Sequence, residues 1–199
     1  MLREAKRRQT RLDLITAALR LVDERGADRV TVDEIAATAG VSARTFFNYF
    51  ATKEDALVGD PLEGCTDLRA RLLDRPADQP LLDALLDALA PVFQHIHDDR
   101  DRWLLRMRVI HQNPQLLPLL IAAAATAEQQ FADAVAERAG LPADHPFPPV
   151  VAAVTSAAVR VAVMRWAGDD GLERPLTEHV HEAFGILAAG LAHPLPRNA

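Results

Sequence analysis

Apolar residues recur every three or four positions in the N-terminal part of the chain. This spacing places them on one side of an α-helix. The positions are Leu12, Ile15, Leu19 and Val22. We expect this helix to run from about Thr10 to Arg25 and to end at Gly26. Its apolar side would form the surface on which the following elements pack.

The segment from Val30 to Phe50 predicts two short helices joined by a tight turn. Thr31 is suited to cap the first helix, and Glu34, three residues later, completes a capping box. Gly40 is free to take a left-handed turn conformation, and Ser42 is suited to cap the second helix.

The second of these helices has an inner and an outer side. Phe46 and Phe50 are four residues apart, so they share one side and are expected to join the core. The residues left to face outward are Arg44, Thr45, Asn48 and Tyr49.

The rest of the chain indicates helices separated by prolines and glycines, with no strand pattern and no internal repeat. One helix begins at Pro80 and is expected to bend at Pro91. Asn113 is expected to cap another that continues to Ala139. The predicted helices cover about residues 80–93, 100–111, 113–139, 150–167 and 176–192, and the proline-rich segment 141–149 is expected to be loop.

Composition indicates an ordinary globular protein, since 49% of the 199 residues are hydrophobic and 25% are charged. Cys65 is the single cysteine, so no disulfide can form within the chain. No apolar run is long enough to span a bilayer, and the basic start lacks the apolar centre of a signal peptide. We therefore expect a soluble cytoplasmic protein with no membrane contact.

Charge is unevenly distributed along the chain. The net charge is −6, yet residues 1–60 hold ten basic and ten acidic residues, so the excess of acid lies in residues 61–199. Residues 1–11 contain five basic residues and one acid, Glu4. We expect this basic end to be a mobile arm that meets phosphate groups, or else only a solvated tail. The acidic remainder would face away from a polyanion.

The outward residues of the second motif helix suit a nucleic acid. Arg44 can place its planar guanidinium on guanine O6 and N7 in the major groove, or it can clamp a phosphate. The hydroxyls of Thr45 and Tyr49 suit phosphate oxygens, contacts that position a protein without reading sequence. Lys53 follows Thr52, a predicted helix cap, so its ammonium and the amides there would attract an anion.

At these residues the chain resembles the TetR family of bacterial transcriptional repressors. The resemblance covers about residues 12–58 and rests on an ordered string of residues rather than on any one of them. The string is Thr31, Ile35, Ala36, Ala39-Gly40-Val41-Ser42, Thr45, Tyr49-Phe50, Lys53, Glu54 and Leu57. The implied fold is all-α, with a three-helix N-terminal helix-turn-helix DNA-binding domain over residues 1–58. A C-terminal helical ligand-binding and dimerisation domain would cover residues 59–199.

The resemblance also implies a function and a set of contacts. Such a protein is a repressor that binds a palindromic double-stranded operator as a homodimer and is released by a small-molecule effector. The implied DNA contacts are Thr31, Ser42, Arg44, Thr45, Phe47, Asn48, Tyr49 and Lys53. For two of these residues a role without DNA contact is also open. Thr31 can act as a helix cap alone, and Phe47 can join a hydrophobic cluster with the fourth helix.

The triplet Gly59-Asp60-Pro61 departs from the family pattern. In the family the fourth helix normally connects the two domains as one continuous rod. Glycine and proline interrupt or kink a helix, so this triplet either breaks the rod or only bends it.

The last two predicted helices are rich in small residues, which allow helices to approach closely. These are Ala152, Ala153, Ala157, Ala158 and Ala162 on one, and Gly185, Ala188, Ala189 and Ala192 on the other. By resemblance these helices form the homodimer interface, and the alternative is packing within one chain. A twofold dimer would set two recognition helices one DNA turn apart, roughly 34–36 Å.

Polar and aromatic residues interrupt the apolar helices of the C-terminal part, as expected of a mostly apolar cavity with a few orienting groups. The candidates for an effector pocket are Phe93, His97, Trp103, Arg106, Met107, His111, Phe131, Arg160 and Met164. By resemblance to family members with a similar helix-turn-helix, the effector would be hydrophobic, such as an acyl-CoA.

The sequence shows no pattern for catalysis, a metal or a cofactor. His95 and His97, like His179 and His181, are two residues apart, which sends their imidazoles to different sides of a helix. No glycine-rich phosphate loop or serine elbow is present. We expect a protein that is not an enzyme and holds no cofactor. The alternative function is an all-helical hydrophobic-metabolite-binding protein, or a helical partner-binding adaptor, without operator binding.

Overall fold

The computed structural model describes residues 2–59, 67–142, 144–168 and 174–190. This part of the chain consists of α-helices, two short 3-10 turns and connecting loops, without a β-strand. The helices are α1 (Leu2–Arg25), α2 (Val32–Thr38), α3 (Ala43–Phe47), α4 (Lys53–Val58), α5 (Leu68–Leu73), α6 (Leu81–Asp98), α7 (Arg100–Gln112), α8 (Leu117–Ala139), α9 (Phe147–Ala167) and α10 (Leu176–Ala188). The 3-10 turns are Ala27–Arg29 and Pro114–Leu116. The predicted all-α class is confirmed.

The described helices form two compact units. The first unit contains the described residues up to Gly59 together with Asp99–Ala123, and therefore α1 to α4, α7 and the first turns of α8. The second unit contains α5, α6, the remainder of α8, α9 and α10. The first unit is thus discontinuous in sequence.

The core of the first unit forms where α1 packs against α2, α4 and α7. Its buried side chains include Leu14, Ile15, Leu19 and Val22 of α1, Ile35 of α2, Phe46 of α3, Leu57 of α4, and Val109 and Ile110 of α7. Phe50, just after α3, is also buried. The predicted apolar side of the first helix and the inward placement of Phe46 and Phe50 are therefore confirmed.

Helix α1 begins at Leu2 rather than near Thr10. The expectation of a mobile arm is therefore wrong for residues 2–9. These residues are mostly Arg, Lys, Gln, Glu and Ala, which have high helix propensities, and none of them is a glycine or proline. The basic end of the chain is a helical extension.

Asn113 does not cap a helix with its side chain. Its Nδ2 donates a hydrogen bond to the Val109 carbonyl at 2.7 Å, and its Oδ1 accepts one from the Ala27 backbone N–H at 3.1 Å. The predicted capping role is wrong because the side-chain amide, which is 6% exposed, has these two backbone partners instead. The contact joins the end of α7 to the 3-10 turn after α1.

In the second unit, α9 packs against α10, while α6 contacts both α5 and α10. Helix α5 is not predicted from the sequence, because six residues are too few to show a periodic pattern. Pro91 lies inside α6 without ending it.

Arg138 of α8 fixes the loop between α5 and α6. Its guanidinium donates hydrogen bonds to four backbone carbonyls at 2.6 to 3.3 Å, those of Leu72, Arg75, Pro76 and Gln79. The adjacent residue of α8, Glu137, receives a bidentate pair from Arg69, with both distances 2.6 Å. Two neighbouring residues of α8 thus hold α5 and the loop that follows it.

The start of α9 and the end of α10 differ from the predictions, and the end of α4 decides between two alternatives. Helix α9 begins at Phe147, so the end of the predicted loop is wrong; its two prolines lie in the first turn, where a missing N–H costs little. Helix α10 ends at Ala188, before the predicted Ala192, which lies outside the described residues. Helix α4 ends at Val58, and Gly59 has a φ of 77°. The helix therefore stops at the triplet, whose Asp60 and Pro61 lie outside the described residues.

Helix α9 is long and apolar enough to cross a membrane by length and composition alone. Its most apolar stretch has a mean hydropathy of 1.6 and is 39% buried. The expectation that no such segment exists is wrong. Thr155, Ser156 and Arg160 interrupt the apolar run, but the mean hydropathy of the helix remains as high as that of a membrane-spanning segment. Core helices share these properties, and α9 packs along α10.

Candidate nucleic-acid interface

A capping box fixes the start of α2. The Glu34 carboxylate accepts hydrogen bonds from the Thr31 backbone N–H and hydroxyl, both at 2.9 Å, and the Glu34 N–H donates to the Thr31 hydroxyl at 3.3 Å. Arg25 adds an ion pair to Glu34 at 3.1 Å. The bonds from Thr31, followed by the charge of Arg25, lower the pKa of Glu34 below its ordinary value. The predicted capping role of Thr31 is confirmed.

The turn between α2 and α3 also has the predicted form. Gly40 has a φ of 71°, and the Val41 N–H donates to the Ala36 carbonyl at 2.9 Å. The Ser42 hydroxyl then accepts from the Thr45 N–H at 3.1 Å, which caps α3. This geometry sets the direction in which α3 leaves the turn.

The outer side of α3 carries Arg44, Phe47 and Asn48. These residues are spaced by three and four positions, so they lie on one face, and all three are exposed. Phe47 is 57% exposed, whereas its neighbour Phe46 is fully buried. Their rings meet edge to face, with centroids 5.6 Å apart. Of the two alternatives for Phe47, its exposure fits an outward contact rather than burial in a cluster.

Hydroxyl groups flank this face. The hydroxyls of Ser42 and Thr45 are hydrogen-bonded to each other at 2.9 Å, with both residues at least partly accessible to solvent. Tyr49 is half-buried and packs against the core of the first unit. All three hydroxyls lie on a segment whose backbone is fixed by the cap and by the buried phenylalanines.

Lys53, the first residue of α4, has partners that the sequence does not predict. Its ammonium donates hydrogen bonds to the carbonyls of Ala27 at 2.7 Å and Val30 at 3.0 Å, and Glu54 lies 3.9 Å away. The side chain is 22% exposed. Lys53 therefore anchors α4 to the segment that precedes α2, and two of its three N–H groups are engaged within the chain.

The start of α4 is capped as predicted. Thr52 and Asp55 form a capping box, with hydrogen bonds of 2.9 and 3.2 Å. Glu54 and Asp55 place two carboxylates in the first turn, which weakens the attraction of an anion to this helix end.

The nine candidates for an effector pocket are divided between the two units. Trp103, Arg106, Met107 and His111 belong to the first, and Phe93, His97, Phe131, Arg160 and Met164 to the second. Phe93, Phe131 and Arg106 are buried, and Trp103 and Met107 are partly buried. The exposed members are His97, His111, Arg160 and Met164.

Arg106 lies directly against the backbone of Gly59. A Cβ atom added to this glycine would come within 2.6 Å of the Arg106 Cζ atom. A side chain at position 59 would therefore displace the guanidinium. Arg106 belongs to the first unit, beside the end of α4.

A doubly capped helix-turn-helix with an exposed, polar second helix defines the chain as a DNA-binding helix-turn-helix protein. Residues 14–58 match the model of the tetR family of bacterial regulatory proteins, and residues 79–192 match the MftR C-terminal domain model. The chain belongs to the TetR family of transcriptional regulators.

Two regulators are similar over most of the chain. TcmR of Streptomyces glaucescens, an HTH-type transcriptional regulator, is 32% identical over 83% of this chain and 76% of its own. MftR of Mycobacterium tuberculosis, which is named for mycofactocin biosynthesis, is 32% identical over 95% of each chain.

Three solved structures share the fold. FadR of Thermus thermophilus in complex with lauroyl-CoA has a TM-score of 0.57 and 22% identity, and covers 95% of this chain and 97% of its own. FadR of Bacillus halodurans has a TM-score of 0.61 and 19% identity, with coverage of 93% and 97%. SmeT in complex with triclosan has a TM-score of 0.58 and 19% identity, with coverage of 94% and 99%. At these identities, the similarity establishes the fold.

Proposed function

We propose that this regulator is a cytoplasmic repressor that binds a palindromic double-stranded DNA operator as a homodimer and is released by a small hydrophobic or acyl-type effector. The observation that carries the proposal is the exposed face of α3, where Arg44, Phe47 and Asn48 project from a helix whose backbone is fixed on the other side. A rigid helix with one exposed polar face can enter the major groove of DNA.

Each residue of this face has a distinct role in the proposal. Arg44 reads a base, with guanine as its preferred partner because the guanidinium matches O6 and N7. Asn48 contacts a base edge, and Phe47 contacts a sugar or a thymine methyl. Around this face, the hydroxyls of Thr31, Ser42, Thr45 and Tyr49, with the third N–H of Lys53, bind phosphate oxygens and set the register.

Dimerisation is supported by an apolar stripe on α9. Phe147, Val150, Val154, Val161 and Met164 follow one another at intervals of three, four and seven residues and are each 37% to 62% exposed. This spacing places them on one side of the helix, with the half-buried Ala157 between them. A second copy of the chain would cover this exposed apolar stripe.

The small residues of α9 divide between two roles. Ala152 and Ala162 are fully buried within the chain, where they allow α9 to pack closely. Ala153 is exposed and Ala157 and Ala158 are half-buried. In the proposal, the stripe on the outer side supplies the dimer contact, and the buried alanines serve packing within one chain.

An apolar effector is supported by similar structures. The Thermus thermophilus FadR structure contains lauroyl-CoA, and the SmeT structure contains triclosan. Triclosan is largely apolar, and lauroyl-CoA carries an apolar acyl chain on a polar, anionic CoA group. In this chain, Phe93 and Phe131 are buried in the second unit and are the candidates best placed to line an enclosed cavity. An effector releases DNA only through its different affinity for the DNA-binding and non-binding shapes.

The central test is DNA binding by the wild type and by Arg44→Ala. Binding sites selected from random DNA supply the operator, and affinity is measured on it and on random DNA at several salt concentrations. We expect Arg44→Ala to lose about 1–3 kcal/mol on the operator and to relax the preference at one base pair. Arg20→Ala removes an exposed arginine of α1 and should change neither.

The results separate the possible roles of Arg44. An equal loss on operator and random DNA would show that Arg44 clamps a phosphate. A wild-type affinity that does not depend on salt, or equal binding to every sequence, would refute the repressor function.

The dimer is tested with Val161→Glu. A carboxylate within the α9 stripe should shift the protein from dimer to monomer in sedimentation velocity and abolish operator binding at concentrations where the wild type binds. Gln130→Glu adds the same charge at an exposed position of α8 and should leave the dimer intact. A dimer that survives Val161→Glu would move the interface away from this face.

A further inference from the structure

The side of α1 that packs on the rest of the first unit changes from apolar to basic at Arg11. Leu14, Ile15, Ala18 and Val22 of this side are buried. One turn earlier, Arg11 continues the same side, and its guanidinium carbon lies 5.0 Å from the centre of the Phe50 ring. Arg11, which is half-buried, therefore lies where the buried apolar side of α1 ends.

Two further arginines lie on this side of α1. Arg7 and Arg8 precede Arg11 by four and three residues, which places them one helical turn away on the same face. Both are exposed. Lys6 and Arg20 are also exposed, but the 3.6-residue period places them on the opposite side of α1.

Arg7 and Arg8 lie one helical turn from Arg11, which contacts the segment that follows the proposed recognition helix, α3. Phe50 follows α3 by three residues, and its ring also contacts Phe46 of α3, with centroids 5.4 Å apart. The contact of Arg11 with Phe50 thus places this part of α1 next to the segment that directly follows α3. Because those turns are helical, the side chains of Arg7 and Arg8 project from a defined place rather than from a flexible tail.

The chemistry of these residues points to phosphate. The guanidinium group of each arginine can donate two parallel hydrogen bonds to phosphate oxygens. Cations in the first turns of a helix oppose its dipole, and a bound anion would relieve this repulsion. No ion pair within the described residues neutralises Arg7 or Arg8.

We propose that Arg7 and Arg8 bind the DNA backbone at phosphates that flank the base pairs read by α3. This inference rests on the proposed function and adds to it a second, sequence-independent contact from a different helix. Through it the operator footprint extends beyond the bases that α3 can reach. The contact raises affinity for every sequence and leaves the preferred sequence unchanged.

The test compares two double variants with equal loss of charge. Arg7→Gln/Arg8→Gln removes the proposed contacts, and Lys6→Gln/Arg20→Gln removes two cations from the opposite side of the same helix. Glutamine keeps a high helix propensity, and circular dichroism checks that both variants are folded. Affinity for the selected operator is then measured against salt concentration.

We expect the slope of log affinity against log salt to fall by about 0.9 for each phosphate that the variant no longer neutralises, hence by about 3.6 for a dimer in which four arginines are replaced. The control pair should change the slope by less than about one. Phosphate-ethylation interference should lose its outermost positions only in the arginine variant.

Three results would overturn the inference. The first is an equal change in slope for both double variants, and the second is an unchanged slope and footprint in the arginine variant. The third is a loss of binding to anionic phospholipid vesicles without a change on DNA, which would assign these arginines to a membrane surface. Failure of the wild type to bind any DNA selectively would instead refute the proposed function itself.

Discussion

Asn113→Ala is predicted to destabilise the first unit, although residue 113 lies far in sequence from the helix-turn-helix. The Asn113 side chain is 6% exposed and bonds to the Ala27 N–H and the Val109 carbonyl. Alanine leaves both backbone groups without this partner. Each unsatisfied buried donor or acceptor costs about 1–3 kcal/mol, so for the two groups we expect a loss of about 2–6 kcal/mol in unfolding free energy.

Thermal unfolding and hydrogen exchange measure this effect. A loss of about 3 kcal/mol should lower Tm by roughly 6–12 °C in a chain of this size. The Ala27 amide should lose its protection, while amides in the middle of α1 should change only with global stability. Gln112→Ala, at an exposed neighbouring position, is the matched control. A loss below about 0.5 kcal/mol, or an Ala27 amide as protected as in the wild type, would show that α7 is not fastened in this way.

Three further predictions concern the first unit. Gly59→Ala should cost about 0.5–1.5 kcal/mol more than Gly26→Ala in urea unfolding, because both glycines have positive φ but only a Cβ at Gly59 meets another group, the end of the Arg106 side chain at 2.6 Å, which must leave its rotamer. Equal losses would argue against this contact. Lys53→Met should cost about 1–3 kcal/mol, since two carbonyls lose a charged donor, and unchanged urea unfolding would contradict this role. The lowered pKa of Glu34 means that its contribution to stability is present at neutral pH and is lost as pH falls below its ordinary value of 4.5. Glu34→Gln should flatten this part of the pH–stability curve, and an unchanged curve would be the contrary result.

Sequence alone predicts the helix-turn-helix because its determinants are local. The capping box of Thr31 and Glu34 spans three residues, and Ser42 caps α3 through a residue three positions later. Gly40 is required by its own backbone conformation, with a φ of 71°. In each case the partner lies within one helical turn, where spacing and residue type decide the structure.

Contacts between distant residues are beyond such rules. The hydrogen bond between Ala27 and Asn113 joins residues 86 positions apart, and Lys53 reaches the Ala27 carbonyl across 26 positions. A sequence supplies the donors and acceptors but not the packing of helices that brings them together. Local rules therefore assign Asn113 to the nearest helix start, whereas the fold provides it with a partner in another element.

The effector site is the least predictable part for the same physical reason. A cavity is lined by side chains from several helices, and its walls depend on how those helices pack. Phe131 and Met164 fit an apolar lining equally well by residue type, yet Phe131 is 4% exposed and Met164 is 62% exposed. Hydrophobicity alone does not distinguish a core residue from one on a surface that a second copy would cover.

Lys53 shows how a structural role and a binding role can support each other. Two of its N–H groups hold the carbonyls of Ala27 and Val30, which fixes an otherwise flexible side chain with one N–H still to donate. An ammonium that is already held in place loses less conformational entropy when it meets a phosphate. The carboxylates of Glu54 and Asp55 act in the opposite direction, because they lower the positive potential at the start of α4. A phosphate contact by Lys53 would therefore depend on preorganisation more than on charge. For this reason Lys53→Arg, which keeps the charge but not the geometry of a compact ammonium, should weaken operator binding nearly as much as Lys53→Met.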